Sequence, residues 1–169
     1  MSDMWFHYKM RLRFNKYASR TAYERLKNAI RENADLEIYA STGELLLWVL
    51  TTDEWHKIHG ASDYEQKRDR NTNGIIMSGL RHAYNMMKHN MGFIQIHQKE
   101  GGLRTPFTLP MTLTEVKVIW MPAGEVLNGK HPNQKNNYIN HIEGEEVLET
   151  FTRVLTFLNQ ESRKYLIED

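Results

Sequence analysis

Four side chains between Asn73 and Asn90, in the stretch NGIIMSGLRHAYNMMKHN, have the types and spacing for phosphate chemistry: Arg81, Asn85, Lys88 and His89. An unperturbed imidazole titrates near pH ~6.5, so His89 suits either general base or general acid at neutral pH. Asn85, four residues earlier on the same side of a helix, is spaced to orient that imidazole or to donate to a phosphate oxygen. Arg81 and Lys88 offer positive charge to a developing oxyanion. Cleavage of RNA beside a 2′-hydroxyl needs these parts: a base for the hydroxyl proton, an acid for the leaving oxygen and cations for the phosphorane. The same four side chains also make an ordinary solvated helix face. Neither reading calls for a metal or a cofactor.

The element that must position them is a helix with two faces. At about 100° per residue, Ile76, Leu80, Ala83, Tyr84 and Met87 fall on a core side, opposite the polar four. Thr72 or Asn73 is the expected cap. Upstream, the spacing of Phe14, Ala18, Ala22, Leu26, Ala29 and Ile30 predicts a long amphipathic helix from Met10 to Glu32. The aromatic segment before it, with Trp5, Phe6 and Tyr8, is either a helical extension or an arm that needs cover, which a dimer would provide.

Ser41, Thr42, Gly43 and Glu44 read as a capping box that opens the next helix. Its run Leu45 to Leu50, continuing to Trp55 and Ile58, is apolar on nearly all sides, which places it centrally, with Gly60 as its end. Ala61 to Thr72 reads as a polar loop. After Asn90 the period changes. Gly92 to Gln98 is strand-like, Gly101 and Gly102 mark a turn, and Pro106 to Pro110 brackets a short extended piece. Glu115 to Trp120 alternates, with Val116, Val118 and Trp120 on one face. A small antiparallel sheet of two or three strands is expected. Asn128 to Pro132 supplies turn residues, Asn136 to Ile142 reads as a short helix ending at Gly144, and Glu145 to about Leu166 is a clear final helix.

Composition narrows the class. A chain of 169 residues supports one core, so a single domain is expected: helical over 1–90, a β insertion over about 92–121, and helical again over about 134–167. Its hydrophobic share is 40% and its charged share 25%, as in ordinary globular chains. There is no cysteine, which excludes disulfides and thiolate catalysis. The start MSDMWFHYKMRLRF has no secretory apolar region and no run reaches membrane-spanning length, so a cytoplasmic protein without membrane contact is expected. A net charge of +1 gives no global pull toward nucleic acid, so such binding requires a local patch.

The segment GLRHAYNMMKHN, Gly79 to Asn90, resembles the motif helix of HEPN-like (higher eukaryotes and prokaryotes nucleotide-binding) proteins, which carry an Arg-Asn-x-x-x-His pattern. The tail is similar to that of small bacterial members, through VIWMPAGEVL and then NYINHIEGEEVLETFTRVLTFL. The resemblance implies a mainly α, HEPN-like bundle of four to five helices with the β insertion between the third helix and the last. It also implies a homodimer whose Arg and His residues line a shared cleft for RNA or a nucleotide, in active members a metal-independent ribonuclease of toxin or phage-defence type. A toxin role would bring an antidote protein as partner. Asn85 and His89 match the pattern, but Tyr84 stands where the family's arginine belongs. Arg81 is the nearest substitute. It lies about 12 Å along the axis from His89 by helical rise, so one phosphate reaches both only with a bend or a partner chain.

On this resemblance His89, Asn85 and Arg81 are the catalytic candidates, and Lys88, Tyr84 and Glu44 contact substrate. Glu44 has a competing structural role as the capping residue, and Asp53 is the weaker acidic candidate on the same helix. The other reading is a catalytically inactive dimerisation or interaction module. His56 and His59 lack a third ligand and read as surface histidines. Lys67, Arg68 and Arg70 either guide a phosphate backbone or form a solvated loop, diluted by Asp63, Glu65 and Asp69.

Overall fold

The computed structural model describes residues 2–98, 116–125 and 131–166. Among them it has α1 (Ser2–Arg31), α2 (Asp35–His59), α3 (Tyr64–Arg70), α4 (Met77–Lys88), β1 (Ile94–Gln98), β2 (Val116–Trp120), α5 (Pro132–His141) and α6 (Val147–Ser162). The protein is mainly α with a small antiparallel sheet between α4 and α5, as the periodicities predict. Two more helical segments form than the lower expected number of four.

α1 and α2 make an antiparallel hairpin and the most extensive helix pair. The turn between them places Asn33 at φ 54°, a left-handed conformation that asparagine tolerates better than most residues. The aromatic segment is a helical extension of α1. Trp5 lies 6.4 Å from Trp55 and 6.3 Å from Tyr165 between ring centroids, so part of its cover comes from the same chain. The expected core stripe of α1 is buried at Ala22, Leu26 and Ala29 and shifts around the helix ahead of them. Phe14 is 58% exposed, while Leu12, Asn15, Ser19, Ala22 and Leu26 are buried, and a hydrophobic pattern does not register a stripe that includes Asn15 and Ser19.

α2 is the central helix, buried at Leu45, Leu46, Val49, Leu50 and Trp55. It starts six residues before the expected capping box. Ser41 Oγ donates to the Glu37 carbonyl at 2.6 Å and Thr42 Oγ1 to the Ile38 carbonyl at 2.7 Å, both inside the helix. The S-T-G-E string satisfies the capping rule locally, but fully buried Ile38 extends the core-facing pattern upstream of it. Asp35 and Glu37 instead complement the dipole in the first turn, and Gly60 follows the last residue as expected.

The expected loop from Ala61 contains α3. Only Tyr64 and Arg68, one turn apart, are buried on it, so its sequence looks polar throughout. The sheet pairs Ile94 with Trp120 through to Gln98 with Val116, and β2 buries Val116, Val118 and Trp120 on one face, as the alternation predicts. Backbone bonds from Trp120 N to Glu145 O and from Gly144 N to Trp120 O, both 3.0 Å, tie β2 to the start of α6. Gly144, at φ 77°, takes there the left-handed conformation that glycine adopts without strain. α6 buries Val147, Phe151, Val154, Phe157 and Leu158, and ends at Ser162, short of the expected Leu166. The expected turn at Gly101 and Gly102, the piece from Pro106 to Pro110 and the start of the Asn128 turn lie outside the described residues. No helix among the described residues is long and apolar enough to cross a membrane.

Candidate functional site

The motif helix begins later than expected. Neither Thr72 nor Asn73 caps it; Asn71 Oδ1 accepts from the Asn73 and Gly74 amides at 2.8 and 3.0 Å, forming a turn ahead of α4. The helix then lacks a local side-chain cap. Asn137 of α5 supplies one from a distance, accepting from the Gly79 amide at 2.8 Å and donating to the Ile75 carbonyl at 2.9 Å. The amide so satisfied is one of the unpaired donors of the first turn. α4 buries Ile76, Leu80 and Ala83 as predicted, together with Met86 and His82, while Tyr84 and Met87 are half-buried against the core. His82 has its pKa lowered by burial, with a backbone hydrogen bond at Gly124 acting the other way.

The structure divides the predicted polar stripe. Arg81 Nη2 lies 2.5 Å from Asp53 Oδ2 and 3.2 Å from Glu54 Oε2, so its guanidinium turns to α2. Asn85 Nδ2 donates to Gln134 Oε1 of α5 at 3.3 Å. Lys88 and His89 are exposed at the end of the helix, where the His89 amide donates to the Asn85 carbonyl at 3.1 Å. Asn85, Lys88 and His89 thus share one end of α4, and Arg81 is held by carboxylates on a neighbouring helix. Glu44 faces α1, where it pairs with Arg25, which also binds Glu37 at 2.6 Å. Two residues of the basic cluster are similarly engaged: Lys67 pairs with Asp63 at 2.8 Å, and Arg68 with Asp69 and Asp53.

Asp53 organises a cluster that the sequence reading missed. Its side chain is fully buried, and Tyr64 OH donates to Oδ1 at 2.8 Å, while Arg68 Nη1 approaches both oxygens at 3.2 and 3.3 Å. With Arg81 this gives one carboxylate two guanidiniums and a phenol, drawn from α3 and α4. Burial and the Asp53 charge hold the Tyr64 phenol well above its usual pKa. Burial opposes the charge on Arg68, but the hydrogen bond to Asp69 and the Asp53 charge outweigh it and raise its pKa. The available signal was a carboxylate inside an apolar helix, which requires buried partners. One turn on, His56 is also fully buried, not on the surface as expected; its Nε2 lies 3.0 Å from Ser162 Oγ and burial lowers its pKa to about 4.

The second polar feature is a cleft of about 570 Å³ between α1 and α6. It is bracketed by the Trp5 to Tyr165 contact and by a 2.8 Å hydrogen bond between Tyr23 OH and Thr152 Oγ1, which shows the two helices to be antiparallel. Arg13, Lys16 and Arg20 line one wall at i, i+3 and i+7 of α1, and Arg163 extends from the other. Among the described residues no carboxylate lines the cleft. Its floor includes the hydroxyls of Ser19, Thr52 and Ser162, each at most 4% exposed. Residues Met4 to Tyr23 contain five cations and no carboxylate, a concentration that the chain's net charge of +1 conceals. No family model, curated protein or solved structure matches the chain, so its function is argued from its own geometry.

Proposed function

We propose that the chain is an RNA- or nucleotide-binding protein of HEPN-like type that holds its ligand through phosphate contacts. The observation that carries this reading is the local excess of charge: four cations around one cleft that no carboxylate among the described residues lines, in a chain of net charge +1. A patch of this kind attracts a phosphate backbone even where the whole molecule does not. In one chain the α4 motif works as structure, because Arg81 is committed to Asp53 and Glu54.

A second reading is metal-independent cleavage of RNA in a homodimer, the toxin or defence role that would also call for an antidote protein. It is favoured by Lys88 and His89, exposed side by side where a partner chain has access. Exposed Met4 and Phe6 offer apolar surface for the same pairing.

One set of measurements tests both. A fluorescent single-stranded RNA is titrated with the protein at low salt, then incubated with excess protein in EDTA, and the protein's mass is determined by light scattering. Binding that weakens with added salt and leaves the RNA intact is the expected result. Absence of binding at low salt overturns the proposal. Cleavage that disappears in His89→Ala, from a protein of dimeric mass, establishes the second reading in its place.

A further inference from the structure

Resting on the binding reading above, we infer that the cleft between α1 and α6 is the ligand site and takes a nucleotide unit, free or within single-stranded RNA. Phosphate lies on Arg13, Lys16, Arg20 and Arg163, and the base on Tyr17. Three observations meet there. Among the described residues no carboxylate lines the space that the four cations surround, and none of the four is in an ion pair. In contrast, Lys67, Arg68 and Arg81 are each engaged by at least one carboxylate. Arg11, Arg70 and Lys88 are likewise in no ion pair among the described residues, so what sets the cleft cations apart is that four of them converge on one concave space.

Tyr17 is 62% exposed on the same rim, with the Arg20 guanidinium 5.7 Å from its ring centroid. An exposed aromatic ring beside paired cations is the arrangement by which single-stranded nucleic acids are held, by stacking and backbone charge together. The floor hydroxyls add acceptors: Ser19 and Thr52 give their protons to the Asn15 and Trp48 carbonyls at 2.8 and 2.7 Å, leaving oxygen lone pairs toward the cleft for ribose hydroxyls. The volume, about 570 Å³, falls in the range of clefts that enclose a small molecule, so it seats one nucleotide unit and not a duplex.

The test is calorimetric titration of the full chain with ADP, pyrophosphate, adenosine and a ten-nucleotide uridine RNA, repeated on variants. The double variant Lys16→Gln, Arg163→Gln is expected to weaken ADP and RNA by about tenfold or more, as loss of charge-assisted hydrogen bonds implies. Tyr17→Ala is expected to weaken ADP and RNA about fivefold or more while leaving pyrophosphate unchanged, because stacking touches only the base. Lys27→Gln, the same charge change further along α1, controls for non-specific charge. RNA binding that survives both cleft variants overturns this inference and leaves the binding reading standing; no response to any of the probes overturns both. ADP without effect but RNA displaced by the cleft variants assigns the unit to polymer, and both ADP and RNA lost assigns it to the free nucleotide as well. Capture of phosphatidylserine vesicles with no response to ADP or RNA would make the cleft a membrane contact and overturn the nucleotide assignment.

Discussion

Arg81 of α4 and Asp53 of α2 are joined at 2.5 Å across two packed helices, and Asp53 has no exposed side-chain surface. A buried carboxylate of this kind is tolerated only while its partners are present. Asp53→Ala takes their shared buried acceptor from a phenol and two guanidiniums, although Arg68 keeps Asp69 and Arg81 keeps Glu54, and is expected to cost about 3 kcal/mol in chemical denaturation. Arg81→Ala is expected to cost less, because Tyr64 and Arg68 still bind the carboxylate. Equal losses in the two variants would contradict this ranking.

His56 makes stability depend on pH. Its folded pKa is about 4 against about 6.5 unfolded, so below pH ~6.5 the unfolded chain takes up the proton first. Stability contributed by keeping the ring neutral is full above that value and is lost as the pH falls toward 4, by up to about 3 kcal/mol. Tm measured between pH 7 and pH 5 is expected to drop, and to drop less in His56→Phe. A variant with an unchanged pH slope would rule the mechanism out.

Asn15 is 1% exposed, and neither atom of its amide group has a hydrogen-bond partner among the described residues. Unsatisfied buried amides cost about 1–3 kcal/mol. Asn15→Leu, similar in size, is therefore expected to stabilise the protein by about 1 kcal/mol or more in urea titration. A loss of stability would show that Asn15 has a partner of its own.

Two glycines are expected to fail for different reasons. A Cβ on Gly79 would lie 2.6 Å from Ile142 Cδ1 and 2.9 Å from the Tyr138 backbone, forcing α4 and α5 apart. Gly79→Ala is expected to cost about 1–3 kcal/mol despite the better helix propensity of alanine. Gly144→Ala meets nothing within 4 Å but must hold φ 77°, and is expected to cost about 1–2 kcal/mol. A second change, Ile142→Val, should recover part of the loss at Gly79 and none at Gly144, which thermal melts of the four variants would check.

Much of the fold could be read locally, because burial follows periodicity where one face is apolar. α6, β2 and the core side of α4 have such faces. The start of α2 was misplaced because Ser41 and Glu44 satisfy a local rule that buried Ile38 overrides. α3 was missed because only Tyr64 and Arg68 of its residues are buried. Within the candidate site, the shared end of α4 at Asn85, Lys88 and His89 follows from spacing alone. The fate of Arg81 does not, since its partner lies 28 residues away in sequence. The cleft was equally out of reach: its cations are visible along α1, but α6 meets them across 129 residues, at Tyr23 and Thr152.

That separation has a kinetic consequence. The hairpin of α1 and α2 closes around Asn33 through local contacts, so it is able to form while the chain is still being synthesised. α6, which follows the hairpin in the chain, supplies the second wall. Until it docks, the cations of α1 flank no cleft, so the proposed ligand surface forms only after the hairpin, and its occupancy would report that α6 has docked.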